Sequence, residues 1–206
     1  MSLTPPGYFG SSASNIVIIE NFVDATDLLE IQNFLPTIAR WENSMTDEFN
    51  DDGVCTYDSS YWRDRVCSGQ IIGELNPGIY SIIDKYINKM KSVIEDKFFV
   101  DVSVRPPVLV RWLPGCFQEP HADKQLNDGS PNPFPEYDIN SIIYWTDEFS
   151  GGEFYYPEHG IQLKIKAGMA VAHPGDIHYL HGVKKVLSGE RWTTPSFYTV
   201  TNRHEF

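Results

Sequence analysis

The chain has 206 residues, 41% hydrophobic and 14% aromatic, a composition that excludes intrinsic disorder and suits one domain with a full core. Sixteen Lys and Arg against 28 Asp and Glu leave a formal net charge of −12, which excludes tight nonspecific attachment to nucleic acid or an anionic membrane, because neutralising phosphates needs clustered cations. Three cysteines (Cys55, Cys67, Cys116) are an odd number without metal-type pair spacing, which points to a reducing, cytoplasmic setting, and no apolar run approaches membrane-spanning length.

Residues 1–13, rich in Ser, Pro and Gly, read as a loose leader ahead of a single domain over 14–206. Residues 15–20 (Asn-Ile-Val-Ile-Ile-Glu) predict a strand. A helix follows over 25–35, with Asp24 able to cap it, Leu28, Leu29, Ile31 and Leu35 as its apolar contacts, and Pro36 near its end. Residues 42–70 have no clear period. They are acidic and polar at first, then aromatic, with Tyr57, Tyr61 and Trp62 beside Arg63 and Arg65. A stretch this long without obvious structure is often a functional loop, so it is a candidate lid; a solvated insertion with buried aromatic anchors fits it equally well.

Asn76-Pro77 predicts the start of the clearest helix, with Asn as cap and Pro in the first turn. Ile79, Ile82, Ile83, Tyr86, Ile87, Met90, Val93 and Ile94 keep the helical period to about Asp96, a stripe that faces a sheet. Residues 14–106 are therefore helical support. From Val108 the pattern changes to strands over 108–113, 140–146, 153–156, 161–165, 169–173 and 192–199, separated by Gly, Pro and Asp turns. Helices first and many strands afterwards predict an α+β fold, with the helices packed on one sheet of a jelly roll that occupies 107–201.

The chemistry centres on Phe117-Gln-Glu-Pro-His-Ala-Asp-Lys124. His121 and Asp123 are two residues apart, so on a strand they point to one face. A divalent metal held by this pair needs a third ligand. Two His and one carboxylate, with one side of the ion open, make the facial triad of non-haem Fe(II) oxygenases. His181 is the candidate third ligand, with His173 and His178 as rivals. Arg191 lies ten positions beyond His181, past a Gly-containing turn, where its guanidinium could grip a carboxylate bound beside the metal.

Together with Ser150-Gly-Gly-Glu-Phe-Tyr-Tyr-Pro-Glu158, these motifs resemble the 2-oxoglutarate and Fe(II)-dependent dioxygenases, in their prolyl 4-hydroxylase-like branch. The resemblance runs from about Val108 to Tyr198. It favours His181 over its rivals, because only His181 has the Gly, Val and Arg that follow at the family's spacing. It implies a double-stranded β-helix, with His121, Asp123 and His181 as metal ligands and catalytic centre. Arg191 and Tyr144 then bind 2-oxoglutarate, O2 is the oxidant, and L-ascorbate is the reductant. The family has Lys where this chain has Arg191, and Tyr where it has Trp112, whose indole offers one donor and no hydroxyl.

The implied reaction is hydroxylation of a C–H bond with release of succinate and CO2. Two substrate classes follow: a peptidyl residue, prolyl first, or a free amino acid or other small metabolite. A jelly roll that binds metal or ligand without turnover is the third reading, opposed by the intact His, Asp, His and Arg set. Tyr57, Tyr61, Trp62, Arg63 and Trp112 are the candidate substrate contacts. A nucleic-acid demethylase would want a basic face and an Arg at position 197, where this chain has Phe197.

Overall fold

Two clusters of apolar side chains divide the molecule, one on each face of a large sheet. In the computed structural model the described residues are 4–49, 53 and 55–204. Strand β1 is Val17–Ile19 and helix α1 is Ala25–Phe34, followed by a 3-10 turn over Leu35–Thr37 that contains Pro36. Asp24 precedes α1, but its side chain makes no capping bond; the carboxylate takes the Lys85 ammonium instead. Strands β2 (Glu48–Phe49), β3 (Cys55–Tyr57) and β4 (Val66–Ser68) fall within the candidate lid.

Helix α2 (Gly69–Leu75) leads to α3 (Pro77–Phe98). The Asn76 side chain accepts the amides of Gly78 and Ile79, as a cap requires, and Pro77 loses no bond at the first position. Along α3 the stripe Ile79, Ile83, Tyr86, Ile87, Met90 and Ile94 is buried, at roughly 1.5–3 kcal/mol for each large apolar side chain.

The strands that follow are β5 (Val100–Val104), β6 (Val108–Trp112), β7 (Gln118–His121), β8 (Ile139–Tyr144) and β9 (Phe149–Gly151). Next are β10 (Phe154–Tyr156), β11 (Ile161–Leu163), β12 (Ala170–Pro174), β13 (His181–Val183), β14 (Val186–Gly189) and β15 (Arg191–Arg203). Among the described residues they form an antiparallel seven-stranded sheet, ordered β1-β12-β8-β15-β6-β4 with β5 also on β15. A four-stranded sheet, β11-β10-β13-β7, faces it, and β9–β14 and β2–β3 are separate pairs. This is an α+β double-sheet jelly roll.

The period of two along each strand sorts the side chains. Ile139 and Ile143 of β8, Ala170 and Ala172 of β12, and Trp192 and Tyr198 of β15 join the helices in one core. Val110 and Trp112 of β6, Tyr144 of β8 and Val171 of β12 pack against Phe154, Tyr156 and Val183 of the smaller sheet in the other. No helix among the described residues is long and apolar enough to cross a membrane.

Within the stretch expected to be a loose leader, residues 4–13 are tied down. Thr4 is buried, its carbonyl accepts the Lys124 ammonium at 2.9 Å, and the amide of Gly7 donates to Asp176. Composition suggested looseness because Ser, Pro and Gly have little apolar surface; this stretch is held by polar contacts with distant residues, which composition does not register.

Candidate active site

The four-stranded sheet brings His121, the last residue of β7, directly opposite His181, the first of β13. Their rings lie 4.5 Å apart. Each imidazole has its Nδ1 on a backbone carbonyl, Glu119 for His121 at 2.9 Å and Tyr179 for His181 at 3.0 Å. Each Nδ1 therefore carries the proton, and each Nε2 keeps a lone pair, as metal ligation requires.

Both Nε2 atoms face Asp123, at 3.6 Å from His121 and 3.3 Å from His181. Asp123 lies just beyond β7, so its aim comes from its surroundings and not from strand geometry alone. Its amide donates to Gly175, and Asn140 donates to its carboxylate. The three donor atoms lie within 4.8 Å of one another and could hold a metal ion.

Burial alone would raise the Asp123 carboxyl. His181, His121 and His173 outweigh burial and hold it below the usual carboxylate range. Burial drives His181 well below the ordinary histidine value, against the pull of Asp123. For His121, burial opposes protonation, but the hydrogen bond and charge of Asp123 prevail and raise it. The site is thus a carboxylate held charged among imidazoles, a donor set that suits a divalent cation.

Arg191 opens β15 opposite Trp112 of β6 and is 1% exposed. Its guanidinium lies 5.1 Å from the ring centres of both Trp112 and Tyr144. Its Nε and one terminal nitrogen have no well-formed hydrogen bond among the described residues, and the Tyr144 hydroxyl interacts with the guanidinium without one. Burial lowers Arg191 from its ordinary value and pushes the Tyr144 hydroxyl up to about 12. A buried cation with free N–H groups is costly until an anion pairs with it. The residues therefore fit a dicarboxylate with one end at the His121–Asp123–His181 donor set and the other at Arg191. The turn at Gly152 makes room for this arginine: its φ is +67°, and a Cβ there would stand 3.1 Å from the Arg191 side chain.

One cavity of about 120 Å³ joins His121, Asp123 and His181 to Arg191, with Trp62 and Trp112 in its wall. Tyr144 lies beside Arg191, outside the lining. Tyr61 turns its hydroxyl to the Phe117 carbonyl and meets Trp62 edge-on. Tyr57 stands farther out, against Phe134, and Arg63 is exposed. The buried arginine of this aromatic group is Arg65, with its guanidinium 4.3, 5.1 and 4.8 Å from Tyr61, Trp62 and Trp112. The Trp112 indole donates to Thr193, so its single donor has a partner.

Sequence reasoning did not single out Asn140, Thr193 or Phe197 for the cavity. Phe197 follows Arg191 by six residues, and a period of two along β15 puts Thr193, Pro195 and Phe197 on the face of Arg191; that period was the available signal. His178 is not part of the cluster. His173 is buried beside His181, with ring centres 4.4 Å apart, and its Nδ1 is on the Pro174 carbonyl.

No family model matches the chain. Among solved structures, a viral collagen prolyl hydroxylase from Paramecium bursaria Chlorella virus-1, in a 2-oxoglutarate complex, superposes with a TM-score of 0.62 at 16% identity, over 93% of this chain and 99% of the other. The chain has the fold of the prolyl 4-hydroxylase-like 2OG-Fe(II) oxygenases. A second structure with this oxygenase fold is a Trichoplax adhaerens prolyl hydroxylase in complex with a hypoxia inducible factor peptide fragment, at TM-score 0.55, 16% identity, and coverage of 91% and 84%. In sequence, a PKHD-type hydroxylase of Sphingopyxis alaskensis is 28% identical over 119 residues, 52% of each chain. Human prolyl 3-hydroxylase 2 is 27% identical over 90 residues, 41% of this chain. The match spans about half the length of the first of these relatives and 12% of the second.

Proposed function

We propose that this chain is an Fe(II)- and 2-oxoglutarate-dependent dioxygenase that hydroxylates a C–H bond of a peptidyl residue, prolyl first, with release of succinate and CO2. One observation carries the reading: the His121–Asp123–His181 donor set shares a cavity with the buried guanidinium of Arg191, whose Nε and one terminal nitrogen lack partners among the described residues. His121 and His181 would hold iron through Nε2 and Asp123 through carboxylate oxygen, leaving one side of the ion open. Iron with 2-oxoglutarate and O2 supplies the oxidising chemistry, and L-ascorbate is the expected reductant.

The protein's own part is binding, orientation and dryness. Arg191 forks onto the distal carboxylate of 2-oxoglutarate, and the Tyr144 hydroxyl donates to the same group. The carbonyls of Glu119 and Tyr179 hold both imidazoles in the ligating tautomer. Asn140 fixes the rotation of the Asp123 carboxylate. Phe154, Val183, Val110 and Trp112 exclude water, which strengthens each polar contact in the cavity.

A polypeptide substrate draws support from a series of aromatic rings. Phe197, in the cavity wall, stacks on Tyr137 at 4.2 Å; Tyr137 stacks on Phe134 at 5.0 Å; Phe134 meets Tyr57 of β3 edge-on at 5.8 Å. With Trp62 these rings offer an aromatic path outward from the cavity, and a Pro-rich segment is already extended and loses little entropy on docking. The net charge of −12 steers basic polypeptides. The virus and Trichoplax neighbours, described as a collagen prolyl hydroxylase and as a prolyl hydroxylase with a peptide, add support of the same kind.

The test is succinate release from 2-oxoglutarate with Fe(II), O2 and ascorbate, with mass spectrometry of proline-containing peptides. One oxygen gained on a prolyl residue, weakened by Trp62→Ala, is the expected result. Turnover of free amino acids with every peptide inert replaces the peptide by a small metabolite. No succinate under any condition leaves a binding protein.

A further inference from the structure

We propose that residues 4–15 form a positioning strap that sets Asp123 and His181 relative to each other, an inference that rests on the metal reading above. The segment touches both ligand-bearing stretches. At one end, Lys124, the neighbour of Asp123, has a buried ammonium that donates to the Thr4 carbonyl at 2.9 Å, to the Thr4 hydroxyl at 3.1 Å and to Asp138 at 2.6 Å. The Thr4 hydroxyl also donates to Asp138, and the other Asp138 oxygen accepts the amide of Val200 in β15. Thr4 thus completes a buried ion pair that roots Lys124 in the large sheet.

At the other end, the strap holds the turn that leads into His181. The Gly7 amide donates to Asp176 at 2.8 Å, and Asp176 caps the 3-10 turn Ile177–Tyr179 through the His178 amide. The Asn15 side-chain Nδ2 donates to the Tyr179 hydroxyl at 2.9 Å, and that hydroxyl donates to the Ser12 carbonyl at 3.2 Å. Tyr179 is the residue whose backbone carbonyl accepts the His181 Nδ1 proton. Phe9 packs edge-on against Phe98 of α3, which pins the strap at its middle.

The two ends meet at Gly175. Its carbonyl accepts the amides of both Asp123 and Lys124 at 3.0 Å, and its own amide donates to the Asp138 carbonyl. A Cβ at this position would stand 2.0 Å from the Tyr137 carbonyl, so only glycine fits. The Asp123 stretch and the His181 turn are therefore linked through Gly175, through the Gln125 side chain, which accepts the Ile177 amide at 3.1 Å, through the β7–β13 pairing and, in parallel, through the strap. The strap residues touch neither cavity nor ligand atoms and act by holding the stretches that do.

The experiment is Co(II) titration by calorimetry and visible absorption on the intact chain, on a chain lacking residues 1–10, and on Gly7→Pro. Proline removes the donor to Asp176 and cannot adopt the φ of +74° found at Gly7, so it releases the strap without touching the barrel. Thermal unfolding of each metal-free variant is measured alongside. The expected result is Co(II) affinity lowered at least tenfold by truncation and at least threefold by Gly7→Pro. The Co(II) bands should shift, unfolding midpoints should stay within a few degrees, and a peptide of residues 1–16 added in trans should restore affinity. Affinity and bands unchanged in a folded truncated chain overturn the strap and leave the metal reading standing. If truncation prevents folding, Gly7→Pro alone decides by the same criterion. An intact chain that binds no Co(II) overturns the metal reading, and the strap with it.

Discussion

The two faces of the large sheet are made from the same strands and treat their polar groups differently. On the helix side, the Trp145 indole donates to Thr194 at 2.8 Å, and the Tyr198 hydroxyl reaches the Ile87 carbonyl and Ser141. On the cavity side, Arg191, Tyr144, Tyr156, His173 and Asn140 each keep a buried polar atom without a partner among the described residues. On the helix side such atoms are found on Ser196 and Arg111. Buried polar groups cost free energy unless bonded, so a cluster of unbonded ones on one face marks where a polar ligand completes the structure. On the proposed function, the helix face is finished by folding and the cavity face by binding.

The largest effect expected is from Asp123→Ala. It removes the only carboxylate of the donor set, and succinate formation should fall at least a hundredfold while far-UV circular dichroism is unchanged. Turnover near the unsubstituted level would show that the cavity face needs no metal at these residues.

Arg191→Met separates the two faces more sharply. Losing one partner of a buried charge pair costs on the order of 2–5 kcal/mol, so the 2-oxoglutarate requirement should rise well over tenfold. In the ligand-free chain, replacing an unpaired buried cation by an apolar side chain should leave the melting temperature unchanged or higher. A large loss of stability would mean that Arg191 already has its partner within the fold.

A matched pair of milder substitutions makes the same contrast. Tyr144→Phe removes the hydroxyl beside Arg191 and should weaken 2-oxoglutarate binding by about 1 kcal/mol, roughly fivefold, with stability unchanged. Trp145→Phe removes a helix-side hydrogen bond and should lower stability by a similar amount with 2-oxoglutarate binding unchanged. Equilibrium unfolding and a 2-oxoglutarate titration on both variants read the two effects; identical behaviour would erase the distinction between the faces.

The smallest effect is chemical. Cys67 of β4 lies in the helix-side core, and burial pushes its thiol up to about 11, whereas Cys55 is exposed. The thiolate is the reactive form, so at pH 8 a disulfide reagent should modify Cys55 readily and Cys67 only on unfolding. Ready modification of Cys67 in the folded chain would show that the helix face opens.

The amino-acid order by itself determined the helix α3, through an Asn-Pro start and an apolar period of 3.6, and most strands after Val108, through a period of two between turn residues. It also offered His121, Asp123 and Arg191 as candidates, because metal and carboxylate chemistry admits few residue types, while the choice of His181 over His173 and His178 rested on the family resemblance. Strands β7, β9, β13 and β14 carry no clear period: they are three or four residues long, and their burial depends on partners distant in the chain. Only the tertiary structure decided that Arg65 and not Arg63 organises the aromatic group, and that residues 4–15 are bound across the turns beside Asp123 and His181. Those facts depend on which segments meet after folding. A salt bridge such as Lys124–Asp138, or a donor such as the Gly7 amide, leaves no periodicity in the chain, since its partner is chosen by the packing of the whole sheet.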